Sequence, residues 1–132
     1  MREIKFRGKC IPEFPHPVAK WVYGSFVSDE LILSPYKERN ENRHFWYMVD
    51  PDTVGQFTGL CDANGREIYE GDIIQSEIAE YLAVVEFRKG AFVAVTGPVE
   101  SYQALSGVLC LKGLRVIGNV HDSPELLEGK DA

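Results

Sequence analysis

The sequence predicts a mainly β protein, because hydrophobic residues alternate with a period of two along most of it and helix-period patterns are short. Glycine-containing turn pairs separate the runs, at Asn64-Gly65, Lys89-Gly90 and Lys112-Gly113. With 132 residues and 45% hydrophobic content the chain is long enough to bury a core. Its length matches domains of roughly 100 to 150 residues.

The first strand places Ile4 and Phe6 on one face and Lys5 and Arg7 on the other, so basic side chains are expected to line its solvent face. Pro12, Pro15 and Pro17 then bar a central strand and mark a connector. The PxxP pattern inside it is common by chance. Strand-like runs follow at 20–28, 30–33 and 44–49, and the polar stretch 37–43 reads as an exposed tip. In His44-Phe45-Trp46-Tyr47-Met48-Val49 both alternating faces are apolar, the mark of a strand covered on both sides or engaged in an intermolecular contact. Asp50-Pro51 signals a capped helical turn, which Gly55 ends.

Asp62-Ala63-Asn64-Gly65 predicts a tight turn, its Asn-Gly pair suited to positive φ. Strands are expected at 67–75, 81–88 and 91–96, the last two joined as a hairpin by Lys89-Gly90. A helical connector is expected at 99–105, strands at 108–111 and 114–120, and a last capped turn at Ser123-Pro124. Five short strands with a single-turn connector near the end describe a C-terminal five-stranded SH3-like small β-barrel, with the aromatic-rich N-terminal β segment packed on it. The expected division is 1–58, an N-terminal β lobe; 59–122, the barrel; and 123–132, a helical turn and tail.

Charge narrows the choice of partner. Residues 1–60 carry eight Lys/Arg and eight Asp/Glu, whereas 61–132 carry six and twelve, so the formal net charge of −6 belongs to the second half. That balance works against attraction to phosphate backbones and confines any nucleic-acid contact to Arg2, Lys5, Arg7 and Lys9. No apolar run approaches the roughly 20 residues that span a bilayer, and the N-terminus shows no signal-peptide core, so the expected compartment is the cytoplasm. Cys10, Cys61 and Cys110 are odd in number and lack zinc-ligand spacing. Cys110, in an apolar run, is expected to be a small buried hydrophobe.

No arrangement of chemistry-bearing residues is recognisable. His16, His44 and His121 lie in no triad frame, Gly24-Ser25 lacks a GxSxG context, and no glycine-rich stretch ends in Gly-Lys-Ser/Thr. Neither a metal site nor a cofactor is expected: His121-Asp122 lacks HxH, HExxH or DxDxDG company and reads as the lead into the Ser123 cap. Acid pairs such as Glu67/Glu70/Asp72 and Glu77/Glu80 arise freely among twenty acids and read as solvated faces. Gly71 marks a turn or kink, and Asp72 suits hydrogen bonding to nearby amides at a strand start.

Aromatic residues carry the strongest functional signal, since ten of the fifteen lie in the first 60 residues. Trp21 and Tyr23 share a strand face, and Trp46 lies opposite Phe45 and Tyr47, so some of them must reach a surface. Near basic Arg39, Arg43, Lys5 or Arg7, exposed rings would stack on bases or seal a protein interface. The candidate interaction residues are therefore Trp21, Tyr23, Trp46, Arg39, Arg43, Lys5 and Arg7.

Two long stretches, TVGQFTGLCDANGREIYEGDII at 53–74 and RVIGNVHDSPELL at 115–127, resemble the signature of the YopX family of phage and prophage proteins. The opening IKFRGK and the WVYGSFV around Trp21 match its general layout, while Cys61 and the segment from Pro12 to Pro17 depart from it in connections. The resemblance implies a phage or prophage origin and a small SH3-like barrel, and it brings no catalytic residues with it. The expected function is a non-enzymatic binding or assembly module that associates with itself or with a host or phage protein. Nucleic-acid binding through a small barrel is the alternative, and an enzyme acting on a small metabolite or nucleotide is the third reading.

Overall fold

A computed structural model of the chain describes residues 3–13, 20–28, 31–38, 41–76, 81–97 and 101–128. The chain divides into two compact units, Met1–Phe57 and Thr58–Ala132.

The first unit is an antiparallel sheet of β1 (Phe6–Lys9), β2 (Trp21–Ser28), β3 (Leu31–Glu38), β4 (Glu41–Met48) and the start of β5 (Gly55–Cys61), in the order β4-β3-β2-β1-β5. Its buried cluster is Val22, Ile32 and Val49, with Phe6, Cys10, Tyr47 and Val54 packed around it. Gly8 is required here, because a Cβ at that position would sit 2.9 Å from Val49 side-chain carbons. A 3₁₀ turn at Pro51–Thr53 forms as the Asp50-Pro51 signal requires, with the Asp50 side chain accepting from the Asp52 N–H at 3.0 Å. Thr53 Oγ1 accepts from the Lys9 N–H at 2.8 Å and so fastens that turn to β1. The expected polar tip is shorter than its composition suggests. Strand pairing continues from Leu31↔Met48 out to Glu38↔Glu41, since main-chain bonds sustain a hairpin whatever its side chains. Residues 14–19 of the proline-rich connector lie outside the described residues.

In the second unit, β6 (Glu67–Tyr69) lies beside the latter part of β5, and a five-stranded antiparallel sheet follows. Its strands are β7 (Asp72–Ser76), β8 (Tyr81–Arg88), β9 (Ala91–Thr96), β10 (Ser101–Ala104) and β11 (Arg115–Asn119), in the order β10-β9-β8-β7-β11. Among the described residues nothing pairs β10 with β11, and no closed barrel of the expected kind is found. Its core gathers Ile68, Ile74, Ala83, Val85, Ala94, Leu105, Val108, Leu114 and Val116.

Three expected elements differ from those observed. The run 67–75 is two strands, because Gly71 at φ 89° breaks it and Asp72 turns its carboxylate back onto the Tyr69 N–H at 2.7 Å. Asp72 is 1% exposed and is no part of a solvated acidic face. The expected connector at 99–105 contains a strand, β10, all four residues of which are exposed. Register with β9 (Ser101↔Thr96) makes it a strand, and no apolar pattern announces it. The expected strand at 108–111 is instead the end of helix α1 (Leu105–Val108) and a turn. Leu105 and Val108, three apart, both enter the core, and Cys110 beyond them is exposed rather than buried. The last element among the described residues is α2 (Glu125–Glu128), whose Leu126 reaches within 3.0 Å of a Cβ position on Gly118.

The Asp62 turn ties the second unit together. One Asp62 carboxylate oxygen accepts from the Asn64 and Arg66 N–H groups, each at 2.9 Å, and the other accepts from the Val116 N–H at 2.9 Å. The Ala63 N–H also donates to Leu114 C=O at 3.0 Å. Replacing Asp62 by Ala leaves three amides without this acceptor and is expected to cost about 3 kcal/mol in urea unfolding. A loss below about 1 kcal/mol would show that the carboxylate is dispensable.

Tyr81 borders the same core, and its buried hydroxyl has no hydrogen-bond partner among the described residues. Burial pushes its phenol above the ordinary 10.0. The unfolded chain ionises this group first, so the stability tied to its neutrality is complete below pH 10 and is lost as the pH rises through the folded-state value. Tyr81→Phe should therefore flatten the alkaline fall in melting temperature while leaving neutral stability equal or higher. An unchanged alkaline profile would contradict this.

Candidate functional site

Strand alternation gives the first sheet two faces with different fates. The register Phe6↔Gly24, Gly8↔Val22, Phe26↔Ile32 and Ile32↔Tyr47 collects the buried cluster on one side. The register Arg7↔Tyr23, Lys9↔Trp21, Leu33↔Trp46 and Leu31↔Met48 collects the other side chains on the opposite side. There Tyr23 is 45%, Trp46 60% and Met48 37% exposed.

This outer face holds five of the expected interaction residues, in two groups. Lys5, Arg7, Trp21 and Tyr23 cluster around β1. The Arg7 guanidinium stacks 4.8 Å from the Trp21 ring, and the Lys5 ammonium lies 5.0 Å from the Phe57 ring while pairing with Glu3 at 3.1 Å. Trp46 stands apart on β4, with β3 and β2 between it and β1. Arg7 overturns the expectation that basic side chains line the solvent face, for it is only 4% exposed. A planar, weakly hydrated guanidinium tolerates that burial because an aromatic face offers it compensating attraction. Ile4, assigned to the inner side by alternation, is 61% exposed, since it precedes the first strand. Arg39 and the side chain of Arg43 lie outside the described residues; the Arg43 backbone pairs with Tyr36 on β4.

Sequence reasoning missed Met48 and Phe57 as parts of this face. Met48 carried a usable signal, two positions from Trp46 and hence on the same side of β4. Phe57 had none, because its place under Lys5 depends on the long-range bond from its N–H to the Lys5 C=O, 2.8 Å. The opposite side of β4 behaves differently, with Tyr47 packed against the buried cluster. An apolar pattern on both faces of β4 therefore corresponds to one covered face and one open face.

Elsewhere the candidate chemistry is dispersed. Among the described residues no three His, Cys, Asp or Glu side chains gather closely enough to hold a metal ion. The His121 and Asp122 N–H groups both donate to Asn119 Oδ1, at 3.0 and 2.9 Å, which shapes the turn into the final helix. No helix among the described residues is long and apolar enough to cross a membrane.

The two tryptophans thus differ in accessibility, and acrylamide quenching of dilute protein checks it. Trp46 emission should quench readily, and the Trp46→Phe variant should retain only the less accessible Trp21. Equal quenching of wild type and variant would contradict the assigned exposures.

Comparison with known proteins places the fold. A structure of protein EF1440 from Enterococcus faecalis matches with a TM-score of 0.56 and 24% identity, over 96% of this chain and 99% of that one. That likeness is one of fold. No curated protein matches the chain. The family model described as YopX protein matches residues 23–128, from within β2 through the whole of the second sheet. The chain belongs to the YopX family.

Proposed function

We propose that this chain is a non-enzymatic binding and assembly module that pairs with a second copy of itself through the outer face of β2, β3 and β4. The observation that carries this reading is Trp46, a large ring 60% exposed on the side of the sheet opposite the buried cluster of Val22, Ile32 and Val49. Tyr23, Val27 and Met48 extend the apolar surface, at 45%, 40% and 37% exposure. Leaving such a set in water is costly, at roughly 25 cal/mol per Å² of apolar surface, and aromatic and methionine side chains are the types enriched at interface cores. Aromatic, aliphatic and thioether groups make up most of what the described residues expose on this part of the face, which supports a contact that excludes water.

In this reading the chain is a phage or prophage protein working in the cytoplasm of a bacterial host, with a phage or host protein as the alternative occupant. A nucleic-acid partner has less in its favour. Arg7 is buried against Trp21, Lys5 is engaged with Glu3, and the net charge is −6.

Sedimentation of the purified protein tests the proposal. A dimer should form at about 50 μM, and Trp46→Ala should weaken it about thirtyfold, the effect of truncating a central interface tryptophan by about 2 kcal/mol. The variant should keep its melting temperature, since the ring lies outside the buried cluster. A wild-type monomer at that concentration, or a variant that dimerises as before, would falsify the reading.

A further inference from the structure

Asn64 stands at the tip of the turn that Asp62 organises, where three successive amides are tied to that one residue. Asp62 Oδ1 accepts from the Asn64 and Arg66 N–H groups, each at 2.9 Å, and the Asp62 C=O accepts from the Gly65 N–H at 3.0 Å. The Asp62 N–H closes the turn on Arg66 C=O at 2.8 Å. Asp62 is buried, whereas Ala63, Asn64, Gly65 and Arg66 are exposed. No hydrogen bond to a described residue holds the Asn64 side-chain amide.

An asparagine followed by glycine carries a reaction of its own. The glycine nitrogen, once deprotonated, attacks the asparagine Cγ, and the missing Cβ leaves that approach unobstructed. The N–Cγ bond forms, the Cγ–NH2 bond breaks and ammonia leaves, giving a five-membered succinimide. Water then opens the ring at either carbonyl. Breaking the N–Cγ bond gives aspartate on an ordinary main chain. Breaking the bond from that nitrogen to the main-chain carbonyl carbon gives isoaspartate, whose main chain runs through Cβ and Cγ and is one atom longer. In both cases asparagine and water enter and ammonia departs. Of the four asparagines only Asn64 precedes glycine; Asn40, Asn42 and Asn119 precede Glu41, Arg43 and Val120. There is room for the ring, since nothing described lies within 4 Å of the position a Gly65 Cβ would take.

We infer that Asn64 is a site of covalent self-modification to isoaspartate, and that the Asp62 hub both delays the reaction and is dismantled by it. Delay follows because the attacking nitrogen is the Gly65 amide, whose proton is committed to the Asp62 C=O. Attack waits for the turn to open, so its rate falls with the fraction of time the turn is open. Dismantling follows from where the added atom lies, between the Asn64 and Arg66 nitrogens that share one carboxylate oxygen. A longer chain between the two donors does not keep both on that oxygen. The bond from the Val116 N–H to the other oxygen, 2.9 Å, depends on the same carboxylate staying in place. Because the ammonia is lost, the step is one-way, and the openings of this turn limit the folded lifetime of the second unit. The site is separate from the Trp46 face and stands or falls independently of it.

Incubation of the full chain in mildly alkaline buffer tests the inference, with isoaspartate located by methyltransferase labelling of peptide digests. Isoaspartate is expected at residue 64, forming at least about tenfold faster in guanidinium-unfolded chain than in native protein. Asn64→Gln should remove the signal, because its side chain closes only the slower six-membered ring. The deamidated chains, separated from the parent by their added charge, should show a second urea transition about 1 M below the parent's, in proportion to their isoaspartate content. Asn64→Asp, which adds the same charge on an ordinary main chain, should keep nearly the wild-type midpoint and so assign the loss to chain lengthening. Absence of isoaspartate at residue 64 overturns the inference, as do equal rates in folded and unfolded chain. Isoaspartyl chains as stable as the parent, or an Asn64→Asp variant as unstable as they are, overturn it too.

Discussion

The second unit depends on one buried carboxylate. Asp62 gathers the amides of its own turn and that of Val116, fifty-four residues away, so a local turn and a distant strand are fixed by the same two oxygens. A buried backbone N–H that loses its acceptor costs more than a formed bond contributes, which makes such a hub difficult to replace. Asp72 repeats the device on a smaller scale, holding the Tyr69 amide where the chain leaves one sheet for the next.

The first unit relies on shape. Ile32 and Val49 are 0% and 2% exposed, and Gly8 lets β1 approach Val49 as no larger residue would. Burying a side chain such as Ile32 is worth about 2 to 3 kcal/mol, so a small cluster suffices for one face of the sheet. On the opposite face Trp46, Met48 and Tyr23 are 60%, 37% and 45% exposed. Arg7 shows how the boundary between the faces is managed, its charge taken out of water against Trp21 rather than displayed to a phosphate.

Elements with a local cause were legible in the sequence. The Asp50-Pro51 and Asn64-Gly65 turns follow from residues that prefer the backbone they adopt, whereas in the Lys89-Gly90 hairpin only the glycine does and Lys89 is held at φ 50° by the strands on either side. Alternation located β2, β8, β9 and β11 and placed Trp46 opposite Tyr47. What escaped was set by partners distant in sequence. β10 is polar and exposed and exists through its register with β9; the helix at Leu105 displaced an expected strand because two leucine-like positions three apart also fit a helix; and Arg7 vanished under Trp21 although its strand face looked exposed.

A sheet with a buried cluster on one face and the exposed Trp46 ring on the other is the feature on which the proposed function rests. Fluorine NMR of protein labelled with 5-fluorotryptophan examines that face directly, because Trp21 and Trp46 are the only tryptophans and report separately. If the outer face is a contact surface between copies, the Trp46 resonance moves and broadens as protein concentration rises while the Trp21 resonance holds its position. If both resonances are independent of concentration, the outer face does not join copies of this protein and the account of its function is wrong.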